Sequence, residues 1–326
     1  MYGMQKTLSV IDLKAIRDNA VKVKDLAGGC KFFAVVKADA YGHGAEEVSR
    51  AIEDIADGFC VAIIEEGISL RVAGITKPVL VFTPPMDSYD SARAKEYDLT
   101  VTVNSERTAR LCTANSCHIK VNTGMNRMGC TISELPEIIK TVKAENIEGV
   151  YSHMYAPHDT AASAAQFAMF ERAARFVKTY KPGVCAHLAA SGGILRGGRY
   201  LFDGVRSGIL LYGYCPEGFN ASFTPAMKVY ARRVQTTPFL GGGIGYNRAE
   251  KKYNELGVYR CGYADGFFRT VPLGEKNLCM DSFISEREEE LLCVMDNADE
   301  YAKRCGTIPY EILTSVTKRS EKIYIR

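Results

Sequence analysis

A lysine at the end of an apolar run is the residue around which a site could be built. The stretch FFAVVKADAYGHG, Phe32–Gly44, places β-branched and aromatic residues at Phe32, Phe33, Val35 and Val36, then Lys37, then small residues. Such a run suits a strand buried on both faces, and it would deliver Lys37 into a site. Gly42 and Gly44 would let the backbone pass close to a ligand before the next helix. Burial lowers a lysine's pKa towards neutrality, and a neutral amine can form a Schiff base with a carbonyl cofactor such as pyridoxal 5'-phosphate (PLP). The plain alternative is a lysine snorkelling at a strand end, and spacing alone leaves both readings open.

The elements that would position such a group alternate along the chain. Asp12 can cap a helix over LKAIRDNAVKVKDLA, whose apolar residues Leu13, Ile16, Ala20, Val23 and Ala27 recur at helical spacing before Gly28–Gly29 end it. Strand-like runs follow near 32–36, 59–64, 79–82, 100–103, 118–122, 149–153, 184–188 and 203–205. Helix signals separate them: Glu65–Ala73, Ser105–Ala114, the capping box Thr131–Glu134 and the alanine-rich run Ala161–Tyr180. Eight βα units over about 200 residues predict a (β/α)₈ TIM barrel, with a doubly wound open sheet as the alternative.

A barrel gathers residues from the ends of several strands onto one face. Lys37, Arg127, His153, Ser191 and Arg206 stand at or soon after the predicted strand ends. The loops after the seventh and eighth strands often cradle phosphate, and here they hold Ser191–Gly192–Gly193 and Ser207–Gly208–Ile209. Beyond about Ala226 the character changes to Thr237–Pro238, the run Gly241–Gly243 and short strands near 256–261, 278–284, 290–294 and 322–325. The expected division is therefore a barrel over 1–226 and a smaller, mainly β C-terminal domain over 227–326.

Composition narrows the function class. Of 326 residues 47% are hydrophobic and 24% charged, with a formal net charge of +3, too balanced for a nucleic-acid or membrane partner; the expected partner is a small molecule. The chain shows no apolar run of about 18 residues and its N-terminus has no signal-peptide core, so a cytoplasmic protein is expected. Eleven cysteines without a C-x-x-C pair argue for reduced thiols rather than disulfides or zinc. His153 and His158 make a poor metal pair, having no third ligand at credible spacing.

Taken in order, VVKADAYGHG, EEGISLRVAGI, KVNTGMNRMG, HLAASGG, DGVRSGILLYG, GYADG, LCMD and the tail KIY resemble the alanine racemases, PLP enzymes with a barrel and a β domain. The resemblance covers nearly the whole chain. It implies that Lys37 holds PLP and exchanges protons with one face of the substrate Cα. It implies phosphate contacts from Tyr41, Ser191, the backbone of Gly208 and Ile209, and Tyr324. Arg206 would face the pyridine nitrogen, where a fixed cation disfavours its protonation and weakens the electron sink; read without the family, it is a strand-end arginine paired with Asp203. His153 would lie beside the cofactor ring, and His187 would serve as a supporting donor. Arg127 would reach the cofactor phenolate and the substrate carboxylate, with Lys120 on the same strand as its neutralised or modified neighbour.

In the second domain Tyr246, within GIGYNRAEKKY, resembles the second base, working on the opposite face in the partner chain of a homodimer. Tyr253 is its rival. Tyr263 and Met280 resemble residues lining the substrate entry and carboxylate site, while Asp265 reads as a structural cap at Gly266. Three departures stand out: Asn122 where an aspartate is usual, segments lacking on either side of LCMD, and a tail reading KRSEKIY. The implied function is interconversion of L- and D-alanine for cell-wall synthesis. Racemisation of serine or another amino acid, a non-catalytic PLP-binding protein and a phosphosugar-binding barrel are the alternatives.

Overall fold

A computed structural model describes residues 7–114, 116–276 and 278–326, and its contacts divide it into two units. One unit holds Ile16–Ala40 and Ala45–Thr224; the other holds the N-terminal segment through Ala15, Tyr41–Gly44 and Pro225–Arg326. No helix among the described residues is long and apolar enough to cross a membrane.

In the first unit eight parallel strands close into a barrel: β2 (Lys31–Val35), β3 (Gly58–Val61), β4 (Val79–Val81), β5 (Thr100–Val103), β6 (Cys117–Lys120), β7 (Ile147–Tyr151), β8 (Cys185–His187) and β9 (Gly204–Ser207). Nearly every residue of these strands is buried, as expected for strands with helices outside and packed side chains within. Closure is made by β2 pairing with β9, with Phe33 opposite Arg206, so the open-sheet alternative falls away. The intervening helices include Ile64–Val72, Glu106–Leu111, Leu135–Val142 and Thr160–Tyr180. Ser105 caps the second through Thr108 N–H at 3.3 Å, and Asp159 caps the last through Ala162 N–H at 2.9 Å. At Thr131–Glu134 the carboxylate half of the box forms, Glu134 Oε2 accepting from Thr131 N–H at 2.7 Å and from Thr131 Oγ1 at 2.8 Å, while Glu134 N–H donates to the Thr131 carbonyl.

The barrel interior is not a simple aliphatic core. Phe33, His118, Tyr151 and His187 pack their rings together, Tyr151 stacked on His187 at 5.0 Å and 12°. Gly149 makes room for them: a Cβ there would fall 2.5 Å from the His118 ring. Buried polar groups of this kind persist only where their hydrogen bonds are satisfied.

The second unit is a six-stranded sheet. β1 (Leu8–Asp12) lies between β10 (Met227–Pro238), to which it runs antiparallel, and β16 (Glu321–Ile325), to which it runs parallel. β13 (Glu255–Arg260), β14 (Phe283–Ser285) and β15 (Leu291–Met295) complete it, and β11 (Gly243–Ile244) with β12 (Asn247–Arg248) forms a separate hairpin. Two helices, Ala298–Cys305 and Pro309–Val316, belong to this unit. The expected boundary after residue 226 thus assigned the first strand to the barrel, whereas β1 satisfies its backbone in the sheet. Asp12 both ends β1 and caps the helix Leu13–Leu26, accepting from Ala15 N–H at 2.8 Å.

Candidate active site

Val36 N–H donates to the Cys60 carbonyl at 2.9 Å, so Lys37 is the first residue past the β2 ladder. Tyr212 Oη donates to the Val35 carbonyl at 2.9 Å and pins the strand end. The chain then makes a left-handed turn. Ala38, Asp39 and Ala40 have φ of 52–53° and ψ of 48–49°, and Tyr41 has φ 51°. Each such non-glycine residue costs about 1–2 kcal/mol, so the turn exists because its surroundings hold it. Two carboxylates do so: Asp39 Oδ1 accepts from Ala45 N–H at 2.8 Å, and Glu66 Oε1 accepts from Ala38 N–H at 2.7 Å. Burial and the Arg127 charge lower the Lys37 pKa, and Glu66 opposes them.

Around the same end of the barrel the charge is predominantly positive. Lys120, 5% exposed, has its Nζ 5.2 Å from the Tyr151 ring centroid, and burial with Arg206, Arg127 and Lys37 brings its pKa down to about 8. His153 is held well below its ordinary pKa by burial and then by Arg206, Arg127, Lys120 and Lys37, so its imidazole is neutral at pH 7. Arg127 stands exposed on the loop after β6. That loop is shaped by Asn122, whose Oδ1 accepts from Gly124 and Asn126 N–H at 3.0 and 3.1 Å. Asn122 therefore braces the loop that carries Arg127.

Arg206 is 2% exposed and has no carboxylate partner among the described residues. Asp203, its expected partner if the residue were merely structural, instead pairs with Lys178 at 2.6 Å and accepts from Ala186 N–H at 2.8 Å. The guanidinium donates through Nη1 to His187 Nδ1 (2.7 Å) and the His187 carbonyl (2.8 Å), and through Nη2 to the Ser152 and Leu188 carbonyls (2.6 and 3.2 Å). Because a guanidinium only donates, His187 Nδ1 must accept, which puts the His187 proton on Nε2 and makes it the donor to His118 Nδ1 at 2.8 Å. His187 is accordingly a supporting group of Arg206. Burial holds both rings neutral, with His118 down to about 3. Four guanidinium N–H groups are engaged, and Nε–H has no hydrogen-bond partner among the described residues.

Ser191 is buried, and its Oγ accepts from Gly208 N–H at 3.2 Å; Ile209 opens the short turn Ile209–Tyr212. The Ser207 hydroxyl is buried without a hydrogen-bond partner among the described residues. Sequence reasoning missed two supporting groups. Gln166, on the buried face of the alanine-rich helix, holds the loop after β7 by accepting from Tyr155 N–H at 3.0 Å and donating to the His153 carbonyl at 2.9 Å. A lone glutamine facing inward among alanines is the signal that could have found it. Tyr151 donates its hydroxyl to Thr102 Oγ1 at 2.8 Å, since Thr102 itself donates to the Val81 carbonyl.

In the sheet unit, Gly42 and Gly44 stand close to other groups of the protein. A Cβ on Gly42 would meet the Leu313 carbonyl at 2.5 Å, and one on Gly44 the Tyr324 hydroxyl at 1.9 Å. Tyr41 packs its ring 5.7 Å from that of Tyr310. Tyr246 occupies the two-residue tip of the β11–β12 hairpin and is 84% exposed. Tyr253 is packed, its ring 5.3 Å from Phe239 with Lys251 Nζ over it. Tyr263 and Met280, 37% and 54% exposed, belong to segments joined through backbone, Tyr263 N–H donating to the Cys279 carbonyl and Ala264 N–H to the Met280 carbonyl. Asp265 is buried, accepting from Gly262 N–H at 2.9 Å and pairing with Arg260 at 2.7 Å.

A family model described as the alanine racemase N-terminal domain matches residues 11–216. An alanine racemase of Carboxydothermus hydrogenoformans is 33% identical over 99% of this chain and all of its own, and one of Thermodesulfovibrio yellowstonii is 32% identical over 97% and 96%. The first alignment spans 377 positions, more than the 326 residues present here, so that relative carries segments this chain lacks. Among solved structures, the alanine racemase of Bacillus anthracis with bound L-Ala-P superposes with TM-score 0.86 at 28% identity, covering 100% of this chain and 96% of that one. That of Bartonella henselae, with covalently bound pyridoxal phosphate, gives 0.83 at 26%, covering 98% and 99%. Motifs, barrel, sheet and whole-length similarity agree: the chain belongs to the alanine racemase family, enzymes that interconvert the two enantiomers of alanine.

Proposed function

We propose that this chain racemises alanine with PLP held by Lys37. The observation that carries the reading is the cationic barrel mouth: Lys37, Lys120, Arg127 and Arg206 act on one another or on His153, and Glu66 is the one carboxylate bearing on Lys37 among the described residues. Such a cluster calls for an anionic occupant, and PLP brings a phosphate and a phenolate while the substrate brings a carboxylate. The donor set fits. Arg206 would present its Nε–H to a ring nitrogen, and Ser191, the backbone of Gly208 and Ile209, Tyr41 and Tyr324 are the proposed phosphate donors, Gly208 N–H exchanging its bond to Ser191 Oγ for one to the phosphate.

PLP, when bound, supplies the electron sink that acidifies the substrate Cα–H bond. Lys37, its pKa lowered by burial and by Arg127, moves a proton at one face of Cα. Tyr246 of the partner subunit serves the other face, the C-terminal domain over 227–326 contributing to its partner's active site in a homodimer; Tyr263 and Met280 line the substrate entry. Arg127 would bind the substrate carboxylate, and neutral His153 would be the residue beside the cofactor ring. Arg206, being a fixed cation, limits how far negative charge is drawn from Cα and so favours prompt return of the proton. A cytoplasmic enzyme supplying D-alanine for cell-wall synthesis completes the proposal.

The test is an absorbance spectrum of the purified protein with a chiral assay on a panel of L-amino acids. A visible cofactor band lost on hydroxylamine treatment, and D-alanine formed from L-alanine faster than D-serine from L-serine, are expected. A colourless protein that turns over none of them would overturn it.

A further inference from the structure

We propose that Glu66 is a positioning residue for Lys37, its carboxylate holding the left-handed turn at Ala38 and so fixing the direction in which Lys37 leaves the barrel. The inference rests on the reading of Lys37 as the cofactor lysine. One carboxylate oxygen accepts from Ala38 N–H at 2.7 Å; the other accepts from Ala62 N–H at 2.7 Å and Ile63 N–H at 3.4 Å. Ala38 lies just past the end of β2 and Ala62 just past the end of β3, so the side chain clasps two adjacent strand ends. The turn it clasps has no glycine in its four left-handed positions, Ala38–Tyr41, and would not adopt that conformation unaided.

Glu66 also begins the helix Ile64–Val72, and a helix-start residue alone would need only the bonds to Ala62 and Ile63. The bond to Ala38, 28 residues away, is surplus to that role. Its charge has a second effect. The groups bearing on Lys37 are Arg127, Cys60 and Glu66, and Lys37 in turn bears on Lys120 and His153; Glu66 alone among them is a carboxylate, and it raises the affinity of Lys37 for its proton. Removing the charge should therefore move Lys37's titration to lower pH.

The test compares the parent full chain with Glu66→Gln and Glu65→Gln. Glu65 is exposed and pairs with Arg93 at 2.6 Å, which makes it a control for loss of a helix-start charge. With cofactor stripped by hydroxylamine, acetylation of Lys37 by trace acetic anhydride is followed across pH by peptide mass spectrometry, and capture of added PLP by absorbance. Glu66→Gln should shift the Lys37 midpoint to lower pH and slow capture by about tenfold, the scale of one lost hydrogen bond to a charged group. Adding Ala38→Gly, which is at ease at φ near +52°, should restore part of the capture rate but not the midpoint. If Glu66→Gln matches Glu65→Gln in both readouts while its melting temperature falls, Glu66 is a helix cap and the inference is wrong. If even the parent captures no PLP, the cofactor reading fails, and the midpoint alone then supports or overturns the role of Glu66.

Discussion

Replacing Lys120 by methionine should stabilise the cofactor-free protein at pH 7, and the gain should fade as pH rises. Lys120 is buried on β6 with no carboxylate paired to it among the described residues, and its pKa falls from an ordinary 10.5 to about 8. For a base, this means the unfolded chain binds the proton more tightly. Stability therefore rises with pH between about 8 and 10.5, and the penalty is fully present below 8. At roughly 1.4 kcal/mol per pH unit the drop corresponds to about 3 kcal/mol at pH 7. Methionine keeps the stem packed against Tyr151 but loses the cation–π contact, which offsets about 1 kcal/mol. The net expectation is a gain of about 2 kcal/mol, or a few degrees in melting temperature. Thermal unfolding of parent and variant at pH 7 and pH 10 checks it. The cofactor-free chain is the proper material, because a bound anion would offset the same repulsion. A variant less stable than the parent at pH 7, or a gain that does not shrink with pH, would refute the reasoning.

Arg206→Glu should lower racemisation and raise abortive transamination, read as pyruvate release and a long-wavelength absorbance band. It should also cost about 3–5 kcal/mol of stability, because the new carboxylate would face the Ser152, His187 and Leu188 carbonyls; a folded, cofactor-loaded variant that releases no pyruvate would contradict the role given to Arg206. Tyr246→Phe removes only a hydroxyl, from a side chain that is 84% exposed within its own chain, and should leave the melting temperature unchanged, yet lower kcat by about 10²–10⁴-fold, whereas Tyr253→Phe should stay active. Unfolded and reassembled in equal amounts with Lys37→Ala, Tyr246→Phe should recover roughly a quarter of parent activity, because with the proposed shared sites each mixed dimer would have one site with both defects and one with neither; no recovery despite mixed dimers seen by mass spectrometry would mean that the sites are not shared.

The barrel was legible because parallel strands buried on both faces write themselves as short apolar runs, and all eight runs became strands within a few residues of the expected ends. The strand-end rule then pointed to Lys37, Arg127, His153 and Arg206 without any contact being known. What stayed hidden depends on pairing across long stretches of sequence. Leu8–Asp12 is five residues whose partners lie more than 200 positions away, and the run near 278–284 forms a strand only at Phe283–Ser285. The helices Ala298–Cys305 and Pro309–Val316 were overlooked in a region taken as mainly β, although Asn297 as N-cap, Gly306 and Pro309 were all available as signals. The turn Ala38–Tyr41 could not be read, because left-handed backbone is ordinarily announced by glycine or asparagine and here is imposed by Glu66 and Asp39.

The central claim, that Lys37 carries the cofactor, is tested most directly by borohydride reduction of the purified protein followed by peptide mapping. One label, on the peptide containing Lys37, is predicted. A label on Lys120, a buried amine whose pKa is also lowered, or no label on a protein whose spectrum shows bound cofactor, would contradict it.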